Sequence, residues 1–144
     1  MARSEGVKAI GVVLAGHGNL AQELAATAEM IVGHGDGIAT VDLSPGTGLD
    51  GLDRLMRQAV DRVDEGLGVL VLVDLFGGTP SNAAALGIRE RKVEVVAGVN
   101  LPMLLEVLTH RDSGLTLTSL SEIAVRAGRS GVTDVRERLD DAVG

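Results

Sequence analysis

Val69-Leu70-Val71-Leu72-Val73-Asp74 is an unbroken aliphatic run closed by a carboxylate. A strand with one wet face alternates polar and apolar residues. This run does not alternate, so it reads as a strand covered on both faces. Such strands belong to parallel sheets with helices on either side. The segments around it fit that reading. Lys8 to Ala15 is a second buried-looking strand, Ile38 to Leu43 another, and Val93 to Val96 a fourth. Between them lie helical patterns. Leu20, Leu24, Ala28 and Ile31 recur at helical spacing, with Asn19 as N-cap, Gln22 three residues on and Gly33 as terminator. Leu52, Leu55, Met56, Ala59, Val60 and Val63 form the cleanest amphipathic helix. Thr79-Pro80 opens a third helix running to about Glu90, and Pro102 to Thr109 is the core of a fourth.

Four strand–helix units in a row predict an α/β fold. It is a small doubly wound, mostly parallel sheet in the order 2-1-3-4, with helices on both faces. Ser119 and Glu122 suggest a further capped helix ending near Gly128. The tail from Gly131 to Val135 reads as a short C-terminal edge strand. The 144 residues suit one domain, with its core over residues 8–135.

Composition narrows the function. Phe76 is the lone aromatic, so the core is aliphatic. A net charge of −7 argues against a nucleic-acid binder and leaves room for a basic protein partner. With no cysteine, disulfides and thiolate metal sites are excluded. The N-terminus lacks the apolar stretch of a signal peptide. No run approaches the roughly 20 apolar residues of a membrane span. A soluble cytoplasmic protein is expected.

In the predicted order, strands one and three are neighbours, and the polar residues after each strand share the carboxyl edge of the sheet. His17 follows strand one, Asp74 follows strand three, and Gly77, Gly78 and Thr79 come next. Asn100 follows strand four. A carboxylate accepting one ring N–H fixes the imidazole tautomer and supports positive charge on the ring. The Gly77-Gly78-Thr79-Pro80 turn offers main-chain N–H groups at a helix start, a ready anion site, and the Thr79 hydroxyl adds a donor. Together they describe a histidine that accepts a phosphoryl group. Each part also has a structural reading. Asp74 can form an Asx turn, Thr79 a helix cap, and Asn100 an N-cap that only supports the site. His34 reads as a loop residue and His110 as a cation at a helix end. A rival motif is Gly16-x-Gly18-x-x-Ala21 with Asp42 at the end of strand two, the outline of a dinucleotide-binding module. A non-catalytic regulatory dimer is the third alternative.

Four segments carry a family resemblance. They are Ala15-Gly16-His17-Gly18-Asn19, Ala28-Glu29-Met30-Ile31-Val32-Gly33, Val73-Asp74-Leu75-Phe76-Gly77-Gly78-Thr79-Pro80-Ser81-Asn82-Ala83-Ala84 and Ala97-Gly98-Val99-Asn100-Leu101-Pro102-Met103-Leu104. In this order they resemble the mannose-family enzyme IIA domain of the bacterial phosphoenolpyruvate:sugar phosphotransferase system. The resemblance implies a phosphotransferase component with a phosphohistidine intermediate, acting in sugar transport or its regulation. His17 would take the phosphoryl group from HPr and pass it to a histidine of a separate enzyme IIB. Asp74 would pair with His17, and Thr79 would sit near the phosphoryl group. It also implies no cofactor and no metal, and a homodimer that exchanges a C-terminal strand. Two positions depart from the pattern. Gly16 stands where a hydroxyl residue is usual, and Ser81 where a large aromatic is common.

Overall fold

The computed structural model describes residues 6–33, 37–75 and 92–143. In chain order they form β1 (Gly11–His17), α1 (Leu20–Val32), β2 (Ile38–Leu43), α2 (Leu49–Val63), β3 (Val69–Val73), β4 (Val93–Ala97), α3 (Leu101–His110), α4 (Leu117–Ser130) and α5 (Val135–Val143). The four strands make one sheet in the order β2-β1-β3-β4. Every neighbouring pair is parallel. The predicted architecture and strand order are therefore observed. Parallel pairing puts every strand's carboxyl end on one edge: Ala15 lies beside Val73, Val73 beside Ala97, and His17 beside Leu43.

β3 is buried at every position, because each sheet face has its own core. On one face Val13, Ala15, Val71 and Val73 pack with Leu52, Met56, Val60 and Val63 of α2. On the other, Val12, Leu14, Leu70 and Leu72 pack with Ala28, Leu104, Val107 and Leu120 of α1, α3 and α4. Both layers are filled by aliphatic side chains.

Several details differ from the sequence reading. β1 starts at Gly11 rather than Lys8, because the residues before it are tied elsewhere. The Ala9 N–H donates to the Glu65 carboxylate, and the Ile10 N–H to the Arg111 carbonyl. α1 buries Ala21 and Ala28, whereas Leu20 and Ile31 are exposed. Its contact stripe runs through small residues, which let the helix lie close to the sheet. α4 is capped by Thr116, whose hydroxyl accepts the Ser119 N–H, so Ser119 already lies in the first turn.

Another difference is the tail. The sheet has four strands among the described residues, and no edge strand forms from Gly131 to Val135. Asp134 instead accepts the N–H groups of Arg136 and Glu137 and starts α5. The helix-favouring run Arg136-Glu137-Arg138-Leu139 then carries it on.

Gly11 marks a close approach between the sheet and α2. A Cβ there would stand 2.5 Å from the Val63 carbonyl oxygen and 2.7 Å from Val63 Cγ2. Any side chain must push the end of α2 off the sheet. Gly11→Ala is expected to destabilise the fold by about 1–3 kcal/mol, as overpacking does. Urea unfolding checks this: the midpoint falls while the slope stays unchanged.

Candidate active site

His17 is the last residue of β1. Gly18 follows with φ +60°, a left-handed conformation that glycine adopts freely, and α1 begins two residues later. The Gly18 N–H donates to the Leu43 carbonyl, which anchors the turn to β2. The ring is thus left at the sheet edge, on a rigid strand end. Asn19 adds no side-chain cap to α1. Its backbone sits near φ −97°, ψ 10°, outside the extended region a capping side chain needs.

Asp74 is the first residue beyond β3. Its N–H donates to the Ala15 carbonyl at 3.2 Å, so it continues the β1–β3 ladder one step further. That step brings it to His17. Asp74 Oδ2 accepts the His17 backbone N–H at 2.9 Å and lies 2.9 Å from His17 Nδ1. Oδ1 accepts the Leu75 N–H at 2.9 Å. The imidazole side chain is 55% exposed and the carboxylate beneath it 11%.

The electrostatics follow from this geometry. Burial alone pushes the Asp74 carboxyl pKa up. The backbone N–H of His17, its ring and charge, and the N–H of Leu75 outweigh burial and hold it below the usual carboxylate value. Asp74 is an anion at neutral pH. An anion only accepts hydrogen bonds, so the hydrogen of a neutral His17 ring belongs on Nδ1. The other nitrogen, Nε2, keeps its lone pair on a ring open to solvent. A ring in this state, with a fixed tautomer and a counter-charge behind it, can act as a nucleophile.

The other candidates are placed as follows. Gly77, Gly78 and Thr79 lie outside the described residues, as do Ser81 and His34. Asn100 stands at the same sheet edge, after β4. Its side-chain oxygen accepts the Met103 N–H and caps α3, and its amide donates to the Gly128 carbonyl of α4. It fixes the loop after β4 through these bonds. His110 ends α3, with Nδ1 2.8 Å from the Glu106 carbonyl oxygen. Asp42 pairs with Gly16 across β1 and β2, and its carboxylate accepts the Gln22 side-chain amide. No group of three or more His, Asp or Glu among the described residues could hold a metal ion. No helix among them is long and apolar enough to cross a membrane.

The second half of the Asp74 contact had no sequence signal. A carboxylate directly after a strand suggests a side-chain partner on the neighbouring strand, and His17 is that partner. The main-chain bond from His17 leaves no mark in residue type, yet it clamps the carboxylate as firmly as the ring does.

Comparison with known proteins finds relatives over most of the chain. Residues 11–124 match the EIIA-man family, described as the PTS system fructose IIA component. A mannose-specific EIIAB component of the phosphotransferase system from Escherichia coli K12 is 37% identical over 130 residues, 90% of this chain. This chain spans only 40% of that protein's length. A fructose-specific EIIA component from Bacillus subtilis is 42% identical over 104 residues, covering 72% of this chain and 71% of its own. Among solved structures, a PTS IIA protein associated with the fucose utilization operon of Streptococcus pneumoniae superposes with a TM-score of 0.79 at 33% identity. That match covers 92% of this chain and 98% of the other.

Proposed function

From the membership of this chain in the EIIA-man family, the IIA components of the sugar phosphotransferase system, we propose a phosphocarrier cycle centred on His17. The donor is the phosphohistidine of HPr and the acceptor a histidine of enzyme IIB. Nε2 of His17 attacks phosphorus and forms a new P–N bond. The donor's P–N bond breaks, and the donor imidazole keeps that electron pair. The hydrogen on Nδ1 stays where it is, held by Asp74. The ring then carries positive charge, which the adjacent carboxylate offsets. Passage to enzyme IIB repeats the same exchange with His17 as leaving group. Little covalent assistance is needed, and positioning and charge do most of the work.

The observation that carries this reading is the 2.9 Å pairing of an exposed imidazole with a mostly buried carboxylate. In this reading the amides of Gly77 and Gly78 and the hydroxyl of Thr79 hold the phosphoryl oxygens. The direct experiment is incubation with phosphoenolpyruvate, enzyme I and HPr. The expected result is a mass gain of one phosphate, lost in acid as a phosphoramidate is. No gain would reject the function.

The reading also includes a cytoplasmic homodimer. Two features support a second copy. α5 buries none of its residues, and Val135, Leu139 and Val143 line up on it as an exposed apolar stripe. Sedimentation velocity is expected to show twice the chain mass at micromolar concentration. A monomer throughout would remove the dimer from the account.

A further inference from the structure

Asp74 leaves the sheet through one peptide unit, the amide joining it to Val73, and both edges of that unit are held. Its N–H donates to the Ala15 carbonyl at 3.2 Å, and its carbonyl accepts the Val99 N–H at 3.0 Å. The first bond comes from β1, the strand that carries His17. The second comes from the loop after β4. A peptide unit is planar, so two opposed hydrogen bonds fix its tilt as well as its place. The direction in which the Asp74 side chain leaves the backbone follows from that tilt.

The Val99 bond is only as firm as the loop that presents it. After Ala97, the last residue of β4, the chain turns at Gly98 with φ +83° and returns to β3 at Val99. Asn100 comes next. Its side-chain oxygen accepts the Met103 N–H at 3.0 Å, and its NH₂ donates to the Gly128 carbonyl at 2.9 Å. Capping α3 needs only the first of these bonds. The second ties the loop to the last turn of α4. That turn is a fixed anchor, because Leu120, Ala124 and Gly128 of α4 are buried. Two glycines seat it on the start of α3. A Cβ at Gly128 would stand 2.6 Å from Met103 Cε, and one at Gly131 would stand 2.5 Å from Pro102 Cβ.

We infer that Asn100 is a positioning residue for the phosphoryl acceptor: through its bond to Gly128 it braces the Val99 N–H against the Val73–Asp74 peptide, and so aims the Asp74 carboxylate at His17. The inference rests on the proposed role of His17, but the first measurement below does not. Without the brace α3 keeps its cap, while the loop gains freedom at Val99. Asp74 Oδ2 then spends less time 2.9 Å from Nδ1. The ring hydrogen is held less firmly on Nδ1, and the lone pair is less available at Nε2.

Two variants keep the cap and remove the donor. Asn100→Ser offers Met103 an oxygen without an NH₂. Asn100→Asp does so at full size but adds a charge. Serine and aspartate cap helices about as well as asparagine does. Thr116→Ala removes the cap at the far end of α4 and controls for lost stability unconnected with the loop. Long-range ¹⁵N–¹H spectra of the unphosphorylated protein read the His17 tautomer directly. Both Asn100 variants are expected to lower the Nδ1–H population. They are also expected to lower kcat for phosphate uptake from phospho-HPr about two- to tenfold, the worth of one hydrogen bond, with KM unchanged. Thr116→Ala is expected to change neither tautomer nor kcat. A native tautomer balance in either Asn100 variant overturns the inference, since an effect in one alone belongs to its charge or its lost volume. So does a Thr116→Ala chain altered as much as they are. If the native chain takes up no phosphate, the phosphocarrier reading fails while the tautomer spectra still decide the role of Asn100.

Discussion

His17→Ala is expected to abolish phosphate uptake from phospho-HPr, a loss on the order of 10³-fold or more, as when a nucleophile is deleted. The fold survives the change. The ring is more than half exposed, and the main-chain bond from residue 17 to Asp74 does not depend on the side chain. Exposed substitutions of this kind cost about 0.5 kcal/mol or less. An unchanged circular dichroism spectrum beside a lost phosphate signal therefore assigns the defect to chemistry. His110→Ala is the matching control. Its ring lies at the end of α3 against the Glu106 carbonyl, away from the carboxyl edge of the sheet, so labelling should persist. A His17→Ala chain that still takes up a full phosphate would move the acceptor elsewhere.

Asp74→Asn is the second large effect. The aspartate accepts three N–H groups, two at Oδ2 and one at Oδ1. Asparagine has one accepting oxygen and one NH₂. With its oxygen toward His17, the NH₂ faces the Leu75 N–H. With the amide turned round, the NH₂ faces the His17 N–H and asks Nδ1 to accept. The ring hydrogen then moves to Nε2, and the nucleophilic lone pair is lost. In either orientation the counter-charge is gone. Transfer is expected to slow by about 10²- to 10⁴-fold, as when a triad aspartate is replaced by its amide. Stability changes too, with a definite sign. The folded-state pKa of Asp74 is lowered, so the unfolded chain binds a proton more readily. The stabilisation from this carboxylate is complete above the unfolded value and disappears as pH falls through the folded one. The stability gap between native chain and variant should therefore narrow below about pH 4. A gap that stays constant into acid would mean the carboxylate does not gain from its partners.

The residues that specify the fold most clearly are those with a single physical role. The run Val69–Val73 needs cover on both faces, and the structure provides it with no change in the strand's bounds. Ile38–Leu43 is equally plain, and it alternates half-buried and buried as an edge strand does. The neighbourhood of His17 and Asp74 followed from strand order alone, because parallel pairing of β1 with β3 brings their carboxyl ends together. What escaped the sequence was decided by longer-range competition. Leu20 and Ile31 are larger than Ala21 and Ala28, yet the alanines face the sheet because a close helix needs small residues there. The tail around Val132 and Val135 has β-branched residues, but the Asp134 cap and the charged run after it favour a helix. At the site, residue types pointed to a ring–carboxylate pair. They could not reveal that main-chain groups hold the carboxylate, because every residue but proline has the same N–H.

The central claim concerns one nitrogen atom. After phosphorylation through enzyme I and HPr, ¹⁵N and ³¹P spectra of the chain locate the new P–N bond. The account predicts phosphate on Nε2 of His17, with Nδ1 still protonated and facing Asp74. Phosphate on Nδ1, or on any other residue, would contradict it.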